Sequence, residues 1–150
     1  MKKIFVFNGP NLNLLGKREP AVYGAHSLAD VEQLCLQAAA AHDLAVDFRQ
    51  SNYEGVLVDW LHEAGAAQAA GEALGVVLNA GAYTHTSIAL RDAVKGAGVR
   101  LVELHISNVH AREEFRQHSY LSAVAVGVMF GFGVAGYALA MTALAQMPRS

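Results

Sequence analysis

Two spacings of apolar residues take turns along the chain. Lys3–Asn8 (KIFVFN) is a run of β-branched and aromatic residues and reads as a buried strand. Ser27 and Asp30 then have the spacing of a capping box, and Leu28, Val31, Leu34, Cys35 and Ala38 share one helical face. Ala45–Gln50 (AVDFRQ) is a second strand. Ser51 and Glu54 repeat the capping-box signal and predict a helix with Leu57, Trp60, Leu61 and Ala64 turned inward. Leu74–Asn79 (LGVVLN) is a third strand. Thr84 or Thr86 is placed to cap a helix through Ile88, Ala89 and Ala93 that stops at Gly96 or Gly98. Arg100–His105 (RLVELH) is a fourth strand, followed by a short polar helix near Ala111–Gln117.

The last part of the chain allows two readings. From Leu121 to Pro148 there is no charged residue, a length that raises the possibility of a membrane span. Gly127, Gly131, Gly133 and Gly136 interrupt it, however, and no basic cluster follows closely. The segment is therefore expected to be a strand, Ala123–Phe130, and a helix, Val134–Ala145, split by Gly131-Phe132-Gly133. That helix has few polar residues, and a subunit interface would use its excess apolar surface.

Five strands alternating with five helices, with continuously apolar strands, predict a parallel sheet covered on both faces. A flavodoxin-like doubly wound five-stranded sheet of order 2-1-3-4-5 is the simplest right-handed solution, as one domain over residues 1–150. The stretch Gly9–His26 is long for a connection, since about 2–6 residues is usual, and is expected to be a lid or binding loop.

Composition narrows the partners. The 150 residues are 53% hydrophobic and 16% charged, which excludes intrinsic disorder. A net charge of −2 gives no global basic field for nucleic acid or an anionic membrane, although a local anion site is allowed. The single cysteine, Cys35, can form neither an intramolecular disulfide nor a cysteine-rich zinc site. Met1-Lys2-Lys3 and the brief strand after it do not read as a signal peptide, so a reducing, soluble compartment is expected.

In such a sheet, ligands bind beyond the carboxyl ends of the strands. Asn8-Gly9-Pro10-Asn11, Asn79-Ala80-Gly81 with Tyr83 to Ser87, and Glu103 to Asn108 all end strands there. The long loop adds Lys17-Arg18-Glu19-Pro20 and Tyr23-Gly24. These amides, imidazoles, hydroxyls, guanidinium and phenol suit a small polyhydroxylated anion and proton transfer. Glu103 and His105, two apart on a strand, point to one face, where a carboxylate can orient an imidazole acting as a general acid; a structural ion pair uses the same spacing. Tyr23 becomes a useful base only if its anion is favoured, and Arg18 nearby is the group to do it; an exposed loop tyrosine is the alternative. Arg112 and Arg116, spaced i, i+4, form either an anion clamp or, with Glu113 and Glu114, a solvated helix. Asp92 beside Arg91 reads as surface charge. Metal-ligand spacing, a Walker loop and GxGxxG after the first strand are absent. An FMN carrier would need a hydroxyl- and glycine-rich loop after strand one, and a receiver domain acidic residues at strand ends occupied here by Asn8 and Asn79.

Taken in order, these strings resemble the type II 3-dehydroquinate dehydratase family. The resemblance rests on Asn8 to Leu12, Arg18-Glu19-Pro20, Tyr23-Gly24, Gln50-Ser51-Asn52, Leu78 to Gly81 and Thr84 to Ser87. It continues through Ala89 to Asp92, Glu103 to Asn108, Arg112 to Arg116 and His118-Ser119-Tyr120, covering roughly Ile4 to Leu144. It implies loss of water from 3-dehydroquinate to give 3-dehydroshikimate through an enolate, in aromatic biosynthesis or quinate breakdown, with no cofactor and no metal. By the resemblance Tyr23 is the base, Arg18 holds its phenolate, and His105, oriented by Glu103, is the acid. Asn11 holds a water against the enolate. Asn79, His85, Ile106, Ser107 and Arg116 bind substrate, and Arg112 supports the lid. Asp92 reaches the site from a neighbouring subunit of a homododecamer built from trimers. The expected location is cytoplasmic, with no nucleic-acid or membrane partner.

Overall fold

The computed structural model describes residues 1–17, 21 and 25–148. Their strands are β1 (Lys3–Asn8), β2 (Ala45–Gln50), β3 (Ala73–Asn79), β4 (Leu101–His105) and β5 (Gly127–Phe130). All neighbouring pairs are parallel and the order is β2-β1-β3-β4-β5, as the pattern predicts. The helices are α1 (Leu28–Ala40), α2 (Glu54–Ala69), α3 (Ile88–Ala97) and α4 (Ala135–Gln146).

Alternation along each strand divides the core into two layers. Ile4 and Val6 of β1, with Val77, Val102 and Leu104, face Val31 and Cys35 of α1 and Tyr137, Ala140, Met141 and Leu144 of α4. Phe5 and Phe7, with Val76, Leu78 and Leu101, face Leu57 and Leu61 of α2 and Leu90 and Val94 of α3. The charge-free C-terminal segment is thus a strand and a helix on either side of Gly131 and Gly133. Among the described residues, no helix is long and apolar enough to cross a membrane. One face of α4 is buried on the sheet and α1, while Leu139 remains half exposed.

Local chemistry sets the element ends. Ser27 accepts from the Asp30 amide and the Asp30 carboxylate accepts from the Ser27 amide, closing the expected capping box. The second expected box does not form. The Ser51 hydroxyl accepts from the Tyr53 amide instead, and α2 begins at Glu54 with no side-chain cap. Neither Thr84 nor Thr86 caps α3. Gly81–His85 is a 3-10 turn, which moves the helix start on to Ser87, whose hydroxyl accepts from the Leu90 amide. Gly98, in the left-handed region, ends α3 in preference to Gly96.

Two further expectations are corrected. The single helix over Ala111–Gln117 is replaced by 3-10 turns at Val109–Ala111 and Glu114–Gln117, with Arg112 extended between them. Asn108 caps the start of the first turn by accepting from the His110 amide, and the turn ends where the Arg112 backbone becomes extended. The last strand begins at Gly127 rather than Ala123, because Ser119 takes the Leu121 and Ser122 amides and winds Ser122–Val124 into a 3-10 turn.

Candidate active site

Because every strand runs the same way, Asn8, Gln50, Asn79 and His105 close their strands on one edge of the sheet. The ends of β1 and β3 approach tightly there: a Cβ on Gly9 would lie 2.5 Å from the Ala80 carbonyl oxygen. Only glycine fits that contact. Past it, Asn11 sits in the left-handed region at φ 68°. Its amide donates to Asn52 Oδ1 at 3.0 Å, and Gln50 Nε2 donates both to that oxygen and to the Gly9 carbonyl. The loop after β1 is therefore anchored by the residues that end β2. Leu12 and Leu15 bury their side chains below it.

Beneath this edge lies a buried polar chain. The Tyr137 hydroxyl donates to Asn8 Oδ1 at 2.6 Å and accepts from Asn79 Nδ2 at 3.0 Å. Asn8 Nδ2 donates to the Arg49 carbonyl, and Asn79 Oδ1 accepts from the Gly81 amide. Burial pushes the Tyr137 phenol well above its ordinary pKa, so it stays neutral and able to donate.

A cleft of about 70 Å³ opens above. Asn11, Asn79, His85, His105, Ile106, Ser107, Arg112 and Arg116, all expected at the site, line it. Glu103 lies one layer behind, 1% exposed, with Oε2 at 2.6 Å from His105 Nε2. Its Oε1 accepts from the Ser119 and Ser122 hydroxyls at 3.0 and 2.6 Å. Burial acts to raise the Glu103 pKa, but the bonds from His105 and Ser122, the His105 charge and Ser119 together outweigh it. The carboxyl is held below its ordinary value of 4.5 and is ionised.

His85 is placed differently. Its Nδ1–H donates to the His118 carbonyl at 2.7 Å, and its ring lies nearly parallel to that of His105 with centroids 6.4 Å apart. Burial lowers its pKa from 6.5, and His105 and Arg116 push the same way. His85 thus enters neutral conditions uncharged, with Nε2 as an acceptor. Arg112 donates to Ser107 Oγ at 3.4 Å, and Arg116 pairs with Glu113 at 2.6 Å while stacking on Phe115. The two arginines reach the cleft although they do not share a helix. No carboxylate stands among its described lining residues, so the cleft favours an anion with hydroxyls.

Glu103 pairs with His105 and does not itself line the cleft. Asp92 is exposed on α3 and does not line the cleft of its own chain. Arg18 and Tyr23, with the rest of Arg18-Glu19-Pro20 and Tyr23-Gly24, lie outside the described residues. The supports were the harder part to read. The sequence pattern gives Tyr137 and Asn8 no site role, and Ser122, which donates to Glu103, only precedes the strand expected from Ala123. A lone phenol on the apolar face of the last helix was the available signal, because a buried hydroxyl needs partners.

Fold and site together define a flavodoxin-like α/β protein with a small, cationic, amide-rich cleft at its strand ends and a carboxylate–imidazole pair in the wall. Comparison with known sequences and structures is specific. The family described as Dehydroquinase class II matches residues 2–145, and the chain belongs to that family. It is 70% identical to the 3-dehydroquinate dehydratase of Acidovorax sp. (strain JS42), over 97% of this chain and 98% of that one. The type II dehydroquinase of Propionibacterium acnes superposes with a TM-score of 0.91 at 39% identity, covering 98% of both chains. That of Butyrivibrio crossotus gives 0.90 at 40% identity, over 95% of this chain and 97% of that one.

Proposed function

We propose that this protein removes water from 3-dehydroquinate, the reaction its relatives are named for, and releases 3-dehydroshikimate. The observation that carries the reading is the buried Glu103–His105 pair at the wall of a cleft that is cationic and rich in hydrogen-bond donors. A ring bearing a carboxylate, a ketone and hydroxyls meets complementary groups there: guanidinium from Arg116, amide from Asn79, hydroxyl from Ser107 and a neutral imidazole from His85.

The chemistry follows from what each group can do. A proton alpha to a ketone is weakly acidic, so base strength and enolate stabilisation act together. Tyr23, with its phenolate held by Arg18, takes the C2 proton and leaves the electron pair in an enolate. Asn11 holds a water against the enolate oxygen. The enolate collapses, the C1–O bond breaks, and His105 protonates the departing hydroxyl so that it leaves as water. The ionised Glu103 fixes the imidazole tautomer and stabilises its charged form. Closure of the loop from Gly9 to His26 brings Arg18 and Tyr23 over the substrate and shuts out solvent, and Arg112 supports the closed form. Asp92, exposed on α3, serves a neighbouring copy's site in an assembly of trimers within a dodecamer.

The test is appearance of the enone absorbance from 3-dehydroquinate. Wild-type protein forms product. Tyr23→Phe and His105→Ala each lose about a hundredfold or more of turnover, the scale of general acid–base catalysis, while remaining folded. Near-normal turnover in either variant refutes the roles, and inactive wild-type protein refutes the reaction.

A further inference from the structure

His105 separates two cavities. One is the cleft; behind the ring lies a second cavity of about 200 Å³, walled by Thr84, Glu103, Ser119 and Ser122 and flanked by Phe130 and the exposed Val128 of the edge strand. Thr84 is 1% exposed, and its Oγ1 is buried without a hydrogen-bond partner among the described residues. Its carbonyl is already satisfied by the Tyr120 amide, so the hydroxyl alone is in question. A buried hydroxyl left unpaired costs stability, and such groups in native proteins have partners, often water.

The Glu103 carboxylate poses the matching problem. An ionised carboxylate has about four acceptor positions. Ser119 and Ser122 fill two on Oε1 and His105 one on Oε2, which leaves a position on Oε2, the oxygen that holds the imidazole. Thr84 and Glu103 face the same cavity, which is polar and large enough for water. One water meets both needs.

We propose that a water in this cavity bridges the Thr84 hydroxyl to Glu103 Oε2, making Thr84 a positioning residue for the Glu103–His105 pair. The inference rests on His105 being the acid of the proposed dehydration. With the water in place, Oε2 is held from two directions and the imidazole presents one orientation to the cleft. Without its anchor the water is lost or wanders, and the carboxylate rocks about its serine contacts.

Thr84→Val keeps the shape and removes the hydroxyl; Thr84→Ser keeps the hydroxyl. We expect Thr84→Val to lower kcat for 3-dehydroquinate by about threefold to tenfold, up to about one hydrogen bond's contribution. KM should change little, because Thr84 does not line the substrate cleft, and Thr84→Ser should restore kcat. Should Thr84→Val fail to fold, Thr84→Ala is read in the same way. Wild-type kcat in the hydroxyl-free variant overturns the inference while leaving the dehydration intact; absence of turnover in the wild type overturns the dehydration itself. A crystal structure supports the bridge if it shows a water joining Thr84 Oγ1 to Oε2. It overturns it if the hydroxyl pairs with a protein group or a second copy's side chains fill the cavity.

Discussion

Tyr137→Phe deletes one oxygen from the middle of the molecule and tests what fixes the strand ends. Tyr137 and Asn8 are fully buried and Asn79 nearly so, so water cannot replace the missing hydroxyl. Two hydrogen bonds disappear, at 2.6 and 3.0 Å, leaving Asn8 Oδ1 and Asn79 Nδ2 facing a phenyl edge. Neither amide can turn to find another partner, because Asn8 Nδ2 is pinned to the Arg49 carbonyl and Asn79 Oδ1 to the Gly81 amide. Each stranded group costs about 1–3 kcal/mol, and the change opens almost no cavity to add to that. The two together cost about 2–6 kcal/mol. For a protein of this size even the lower end is a fall in melting temperature of about 4–8 °C. Thermal and urea denaturation at neutral pH and matched protein concentration measure it, since self-association would otherwise shift the midpoint. Asn8→Ala added to Tyr137→Phe should cost less than the two separate changes summed, because both break the same chain of bonds. A loss of stability below about 0.5 kcal/mol, the range of a neutral surface change, would mean the chain of amides and phenol contributes nothing.

Gly9→Ala should destabilise the protein by about 1–3 kcal/mol or more, because its methyl meets the Ala80 carbonyl and not a movable side chain; an unchanged urea midpoint refutes that contact. Glu103→Gln should flatten part of the acid limb of the stability–pH curve. The folded-state pKa of Glu103 is depressed, so its contribution is complete above the ordinary 4.5 and is lost as pH falls through the lower folded value. Asp47 and Glu63, lowered by their hydrogen bonds to Arg49, keep the rest of the slope in the variant. An acid limb identical to that of the wild type means Glu103 is not held ionised by its partners.

The layer structure and strand order were legible because their signals repeat. Ile4 and Val6 against Phe5 and Phe7 assign both faces of β1 from four residues, and parallel order follows once helices must cover both faces. What failed to show was competition among neighbouring hydroxyls. Ser51, Thr84, Thr86 and Ser87 all have the chemistry of a cap, and backbone geometry chose between them: the 3-10 turn at Gly81–His85 carried the helix start past both threonines. The site divides the same way. Glu103 and His105 were readable as a pair from strand alternation, whereas Ser119 and Ser122 reach Glu103 from 16 and 19 residues away along the chain. Arg112 and Arg116 converge on the cleft for a reason different from the i, i+4 spacing, since Arg112 is extended. Asp92 offered only a surface charge, and one chain leaves it as that.

Tyr137 reaches Asn8 across 129 residues of sequence. During synthesis β1 leaves the ribosome first and α4 last, so a chain halted before residue 134 can assemble much of the sheet yet leaves the amides under its cleft facing water or one another. The order of birth therefore places completion of the cleft floor at the end. A nascent chain should acquire ligand affinity only when its final helix docks, and a short C-terminal deletion should impair binding before it abolishes secondary structure.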